Sequence, residues 1–142
     1  SARVLVGRCL PYGEGITYWP VAQAVRAALE LHDFDEPEEV RSRLDGILAG
    51  DDHADAIAAR LSEVLGIAEG HSGPEETAWA IRRFLEILAS ERPVIAVWED
   101  VHWAEPALLD AIDHARIIWL RGGLRCSLFL ACGDIGYAAR IR

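Results

Sequence analysis

Two adjacent carboxylates, Glu99 and Asp100, come directly after the short apolar run Val94-Ile-Ala-Val-Trp98. Such a run is typical of a buried strand, and in open α/β folds ligands bind at the edge of the sheet where the parallel strands end. Carboxylate oxygens delivered to that edge could hold Mg²⁺ or its water shell, and could orient or deprotonate an attacking water. The alternative is that the two acids only end the strand in solvent, and the pattern by itself favours this alternative.

The residues after the acid pair favour the first interpretation. Val101-His-Trp-Ala-Glu-Pro106, with the preceding Glu91-Arg-Pro93, resembles the Walker B region of STAND-type, AAA-like P-loop ATPase modules. These modules occur in LuxR-type transcriptional regulators and in proteins with adenylate or guanylate cyclase domains. Their strand is followed by Glu-Asp or Asp-Asp, an apolar residue, His-Trp-Ala, Asp or Glu, and Pro, and every position matches here. Residues 7–20 are similar to the segment that follows the second strand of the same modules.

The resemblance implies the ligands of the site and the roles of its residues. ATP and Mg²⁺ are the expected cofactors, and Glu99 and Asp100 take the Mg²⁺-binding and water-activating positions. They are therefore the candidate catalytic, cofactor-binding and metal-binding residues, without a division of roles between them. His102 and Trp103 are signature residues that we expect to pack the loop after the strand. The expected partners are ATP and the effector domain of the parent protein.

The phosphate-binding half of such a module is not recognisable in this sequence. All 14 basic residues are Arg, which excludes a Walker A lysine within the chain. The resemblance covers roughly residues 4–113 and implies a P-loop upstream of Ser1, so we interpret 1–142 as a single partial ATPase domain, the Walker B half. The parent would be an ATPase, while this chain alone is expected to bind ATP very weakly or not at all.

The tail from 115 to 142 departs from the family pattern. Its last apolar run leads into Gly133-Asp-Ile-Gly136, and no sensor arginine can be identified, since Arg140 and Arg142 lie beyond the end of that run. We hypothesise a degenerate or frameshifted tail. The loss of the sensor segment favours an alternative function, a non-enzymatic protein-interaction module that keeps the fold. Retention of both acids argues against that alternative.

Other groupings have simpler interpretations. Asp51-Asp-His-Ala-Asp55 gathers three carboxylates and an imidazole, but Asp is favoured at helix starts, so we expect a solvated helix start there. Gly13-x-Gly15 lacks the third glycine and the lysine of a phosphate loop and is expected to be a packed loop. Cys9, Cys126 and Cys132 show no metal-binding spacing and are expected to be reduced core thiols.

Charge and hydropathy limit the classes of partner. The formal net charge of -9 and the isoelectric point near 4.9 argue against nucleic-acid binding, because phosphate contacts need clustered basic side chains. No apolar run approaches the roughly 20 residues that span a bilayer, and no signal-peptide pattern is present, so we expect a cytoplasmic protein without membrane contact.

The arrangement of apolar segments predicts the fold class. Strands are expected at 4–6, 94–98 and 127–132, each buried on both faces, with helical periodicity between 20 and 90. Asp35 and Ser72 are expected to cap helices that begin at the prolines following them, and Pro106 is expected to begin another. The prediction is an α/β fold with parallel strands and a helical insertion. The resemblance makes it a partial P-loop NTPase-like three-layer sandwich.

Overall fold

A four-stranded sheet and five α-helices make up the described part of the chain, which is therefore an α/β fold. The computed structural model describes residues 2–11, 17–32, 35–70, 72–122, 126–132 and 137–141, with side chains up to Ala115. The strands are β1 (Arg3–Arg8), β2 (Val94–Glu99), β3 (Cys126–Cys132) and β4 (Tyr137–Ile141). The helices are α1 (Trp19–Ala28), α2 (Pro37–Leu48), α3 (Ala54–Val64), α4 (Pro74–Glu91) and α5 (Pro106–Gly122).

The sheet has the order β1-β2-β3-β4, and its first three strands run parallel. These strands confirm the three segments predicted from apolar runs, and the helices α1 to α4 confirm the helical region between the first two. The strand β4 pairs antiparallel with β3 and was not predicted. Its sequence, Tyr-Ala-Ala-Arg-Ile, contains two alanines and an arginine and no β-branched residue before Ile141, so its local strand propensity is weak.

One face of the sheet carries the core. Leu5 on β1 and Trp98 on β2 are buried, and they meet Val25 of α1 and Phe84 of α4 around a small apolar cavity. The side chains of Val4 and Val6 point to the opposite face and are exposed. The prediction that β1 is buried on both faces is therefore wrong, because an apolar run shows that a strand is hydrophobic but not whether a second layer covers it.

A glycine allows α1 to approach the sheet closely. A Cβ atom added to Gly7 would overlap the carbonyl oxygen of Pro20 and would lie 2.8 Å from Cζ3 of Trp98. Only glycine fits between the start of α1 and the indole, since any side chain there would push the helix away from β1. The first turn of α1 is thus held against the end of β1 that leads to the candidate site.

The helical segment between β1 and β2 extends the hydrophobic core that covers the sheet. Helices α2, α3 and α4 pack on one another through buried side chains. Pro37 and Pro74 begin α2 and α4, as predicted, but Asp35 and Ser72 do not cap them. Asp35 accepts a bond from an upstream backbone N–H, and the Ser72 hydroxyl donates to Glu63 at 2.6 Å. Within the described ranges no helix combines the length and apolarity needed to cross a membrane.

Candidate functional site

The acid pair lies at the edge where three parallel strands end. Glu99 is the last residue of β2, which runs between β1 and β3, and Asp100 follows it directly. Cα pairing in the sheet sets Arg8, the last residue of β1, beside Glu99. Register partners in neighbouring strands point to the same face, so the guanidinium and the carboxylate start from adjacent positions.

Asp100 adopts a left-handed backbone conformation, with φ of 55° and ψ of 41°. For a residue with a Cβ this costs about 1 kcal/mol or more, and Asp tolerates it better than most. Consecutive strand residues point to opposite faces, but the left-handed turn interrupts that alternation. As a result, both carboxylates reach one cation: Arg8 Nη2 lies 3.1 Å from Oε2 of Glu99, and Arg8 Nε lies 3.4 Å from Oδ2 of Asp100.

A short 3₁₀ turn over Val101–Trp103 follows the acids and turns the chain toward α5. The backbone N–H of Trp103 donates to the carbonyl of Asp100 at 3.0 Å, which fixes the turn. The ring centroids of His102 and Trp103 lie 5.0 Å apart, but both side chains are exposed. The expected packing role belongs instead to Val101 and Ala104, which pack against the core.

The two segments that resemble the ATPase family are neighbours in the structure. Besides the contacts of Arg8, the backbone N–H of Cys9 donates to the carbonyl of Glu99 at 3.0 Å. The Thr17 hydroxyl donates to the carboxylate of Glu105 at 2.6 Å. The segments are some ninety residues apart in the chain, so this contact could not be read from either motif alone.

A hydrated Mg²⁺ suits this donor set. Mg²⁺ is commonly held by one or two carboxylates, with waters and substrate phosphates completing its octahedron. Two carboxylates here already share one cationic group, which shows that their oxygens can converge on a positive charge. Among the described residues no three His, Cys, Asp or Glu side chains come together as metal ligands, so this part of the chain would supply Glu99 and Asp100 as two ligands.

The acidic cluster at the start of α3 has a structural role. Asp51 accepts a bond from the backbone N–H of His53 at 2.9 Å and pairs with Arg83. The His53 bond is the main cause that lowers the pKa of Asp51, and the Arg83 charge adds to it. Asp52 and Asp55 are exposed, as predicted for a solvated helix start, but the prediction is wrong for Asp51, whose side chain is largely buried.

Two further predictions concern other residues singled out in the sequence. Cys9 is buried in the core, as expected, while the side chains of Cys126 and Cys132 lie outside the described part. Gly13 and Gly15 also lie outside the described residues.

Sequence reasoning missed Arg8 as a member of the site. The residue falls inside the second matched segment, two positions after the apolar run 4–6, and the end of a parallel strand beside β2 was the available signal. Its backbone N–H donates to Oε1 of Gln23 on α1 at 2.8 Å, which ties the end of β1 to that helix.

Comparison with known proteins yields no relative. The chain matches no protein-family model, no curated protein and no solved structure. The resemblance to STAND-type modules therefore rests on the two sequence segments described above, and membership of that family is a proposal.

Proposed function

We propose that this chain is the Walker B part of a STAND-type ATPase switch and that Glu99 and Asp100 hold the Mg²⁺ of Mg-ATP. The observation that carries the proposal is the convergence of two adjacent carboxylates at the end of β2, the strand flanked by two parallel neighbours. Carboxyl ends of parallel strands are the usual ligand edge of open α/β sheets. When bound, Mg²⁺ would neutralise phosphate charge, and either acid could orient the attacking water.

The proposed parent is a cytoplasmic P-loop NTPase with a three-layer sandwich. This chain would contribute the sheet and one helical layer, and a second layer would cover the exposed face that carries Val4 and Val6. ATP would be held mainly by a P-loop elsewhere in the parent, because the 14 basic residues of this chain include no lysine. Nucleotide state would then act on an effector domain, of the transcriptional or cyclase class implied by the resemblance.

A second candidate function is protein interaction without catalysis. The exposed valines of β1 favour it, since an uncovered apolar sheet face is a common contact surface. This candidate assigns no role to the strained conformation of Asp100, whereas the ATPase proposal does. The two candidates therefore differ in what they predict for the acid pair.

The test is a titration of the whole chain with Mg²⁺. Binding is monitored through the amide NMR signals of residues 99–103. We expect saturable shifts in the millimolar range, as for a cation held by only two partly exposed carboxylates. A double variant, Glu99→Gln with Asp100→Asn, should abolish the shifts. The matched control, Glu36→Gln with Glu38→Gln, removes the same charge from exposed residues at the start of α2 and should keep them.

A parallel calorimetric titration addresses the nucleotide. Mg-ATP should bind very weakly or not at all to this chain and should bind to a longer piece of the parent polypeptide that includes a P-loop. Micromolar ATP binding by the chain alone would contradict the proposal that the phosphate-binding part of the site lies outside this chain. Equal Mg²⁺ shifts in the acid-pair variant and the control would contradict the metal assignment and favour the interaction module.

A further inference from the structure

The site contains a positive charge of its own. Arg8 Nη2 lies 3.1 Å from Oε2 of Glu99, and its Nε lies 3.2 Å from the same oxygen and 3.4 Å from Oδ2 of Asp100. The guanidinium thus contacts one oxygen of each carboxylate. These are the atoms that the proposed function assigns to a divalent cation.

The position of Arg8 is determined by the sheet. The residue is the register partner of Glu99, and the bond from its backbone N–H to Gln23 holds the end of β1 in place. The left-handed conformation of Asp100 brings in the second carboxylate. The backbone therefore sets the three groups close together, while the side chain of Arg8 itself is largely exposed.

The ion pair is accessible to solvent. The side chains of Arg8, Glu99 and Asp100 are 61%, 37% and 34% exposed. An exposed pair of this kind is weak, because water screens the charges and the long side chain loses entropy when it is held. The guanidinium can consequently leave the carboxylates without leaving a buried charge behind.

We propose that Arg8 is an internal competitor for the cation site: its guanidinium occupies the Glu99–Asp100 pair when no divalent cation is bound and is displaced by Mg²⁺. The inference rests on the proposed function. Guanidinium and Mg²⁺ carry charge of the same sign, need the same oxygen atoms and repel each other at contact distance. Arg8 therefore lowers the affinity of the acid pair for Mg²⁺ and keeps the two carboxylates together until the cation arrives.

The experiment compares Mg²⁺ affinity in the wild-type chain and the Arg8→Gln variant, read from the amide signals of residues 99–103. Arg8→Gln should lower the dissociation constant about two- to tenfold, as expected for loss of an exposed competing ion pair and its charge. The gain should shrink as KCl is added, because salt screens exposed charges.

The matched control is Arg41→Gln. Arg41 forms a similarly exposed ion pair with Asp45 on α2, at 3.0 Å, so its substitution removes the same charge away from the site. We expect the wild-type affinity for Mg²⁺ in this variant. Arg8→Lys keeps the charge but loses the planar fork, and it should fall between wild type and Arg8→Gln.

A second readout is the Nε–H signal of Arg8, which is identified by its absence from Arg8→Gln. Mg²⁺ should shift this signal in the wild-type chain with the same midpoint as the amide signals of the acids. An unshifted Nε–H signal at saturating Mg²⁺ would overturn the displacement.

The outcomes separate the two proposals. If Mg²⁺ binds through the acids but Arg8→Gln binds it equally or more weakly, the competition is refuted and the metal assignment stands. If Mg²⁺ binds through the acids only in Arg8→Gln, the competition is supported in its strongest form. If neither protein shows binding that depends on the acids, the metal assignment fails and the competition fails with it.

Discussion

Arg8 and Arg83 each pair with two carboxylates, and the two clusters differ chiefly in burial. Arg83 bonds Glu86 at 2.6 Å and also pairs with Asp51, and the three side chains are 28%, 12% and 13% exposed. The Arg8 cluster joins Glu99 and Asp100 in a setting that is more than twice as exposed. The same chemical groups thus occur at the junction of α3 and α4 and at the carboxyl edge of the sheet.

The difference shows what each cluster can do. Partly buried charges depend on their partners, because removing one partner leaves the others desolvated and unpaired. The Arg83 cluster is accordingly a structural tie between the start of α3 and the middle of α4. Exposed charges can exchange partners at small cost, which is what a site for a dissociable cation requires.

The largest expected effect tests this difference directly. Arg83→Gln should lower the free energy of unfolding by about 2 kcal/mol, because it leaves the largely buried carboxylate of Asp51 without its arginine partner, while Glu86 keeps Arg82 at 3.4 Å. Arg8→Gln, the equivalent change in the exposed cluster, should lower it by less than about 1 kcal/mol. Urea denaturation of the two variants gives both values. Equal losses would mean that burial does not distinguish the clusters.

A smaller effect is expected on the pH dependence of the free energy of unfolding. The pKa of Asp51 is lowered from its ordinary value of 3.8, mainly by the backbone bond from His53 and also by Arg83. The unfolded chain therefore binds this proton more readily, so the stabilisation is complete above about pH 4 and is lost as the pH falls further. Between pH 6 and pH 3 the wild type should lose more stability than Asp51→Asn.

The control for this pH effect is Asp52→Asn, which changes an exposed neighbour and should keep the wild-type profile. The pKa of Glu63 is also lowered, chiefly by the Ser72 hydroxyl, so the pH dependence of wild-type stability reports both acids. The difference in stability between wild type and Asp51→Asn at each pH isolates the contribution of Asp51. Parallel profiles for wild type and Asp51→Asn would contradict the assigned role of Asp51.

The smallest expected effect concerns the backbone strain at Asp100, a member of the exposed cluster. Asp100 and Glu30 have φ of 55° and 54°, and Glu30 ends α1 in a Schellman arrangement in which Leu31 N–H donates to the carbonyl of Arg26 at 3.0 Å. Replacing either acid by glycine should raise the free energy of unfolding by about 0.5 kcal/mol. Asp100→Gly should also lose the Mg²⁺ shifts, whereas Glu30→Gly should keep them.

Local patterns predicted much of the fold. The apolar runs of β1, β2 and β3 and the prolines at the starts of α2, α4 and α5 all appear where expected, because these signals depend on neighbouring residues. The helix caps were predicted less well. The Asp35 side chain and the Ser72 hydroxyl each take a competing partner, which becomes available only when the loop takes its final shape.

The amino-acid sequence by itself determined that two carboxylates stand at the end of a strand, because the apolar run before them marks a hydrophobic strand and its last residues. Only the tertiary structure determined that the guanidinium of Arg8 contacts these carboxylates. Arg8 and Glu99 are 91 residues apart, and their contact depends on the register of β1 against β2 and on the left-handed turn at Asp100. Strand register and the covering of each sheet face result from packing between distant segments, which no local pattern contains.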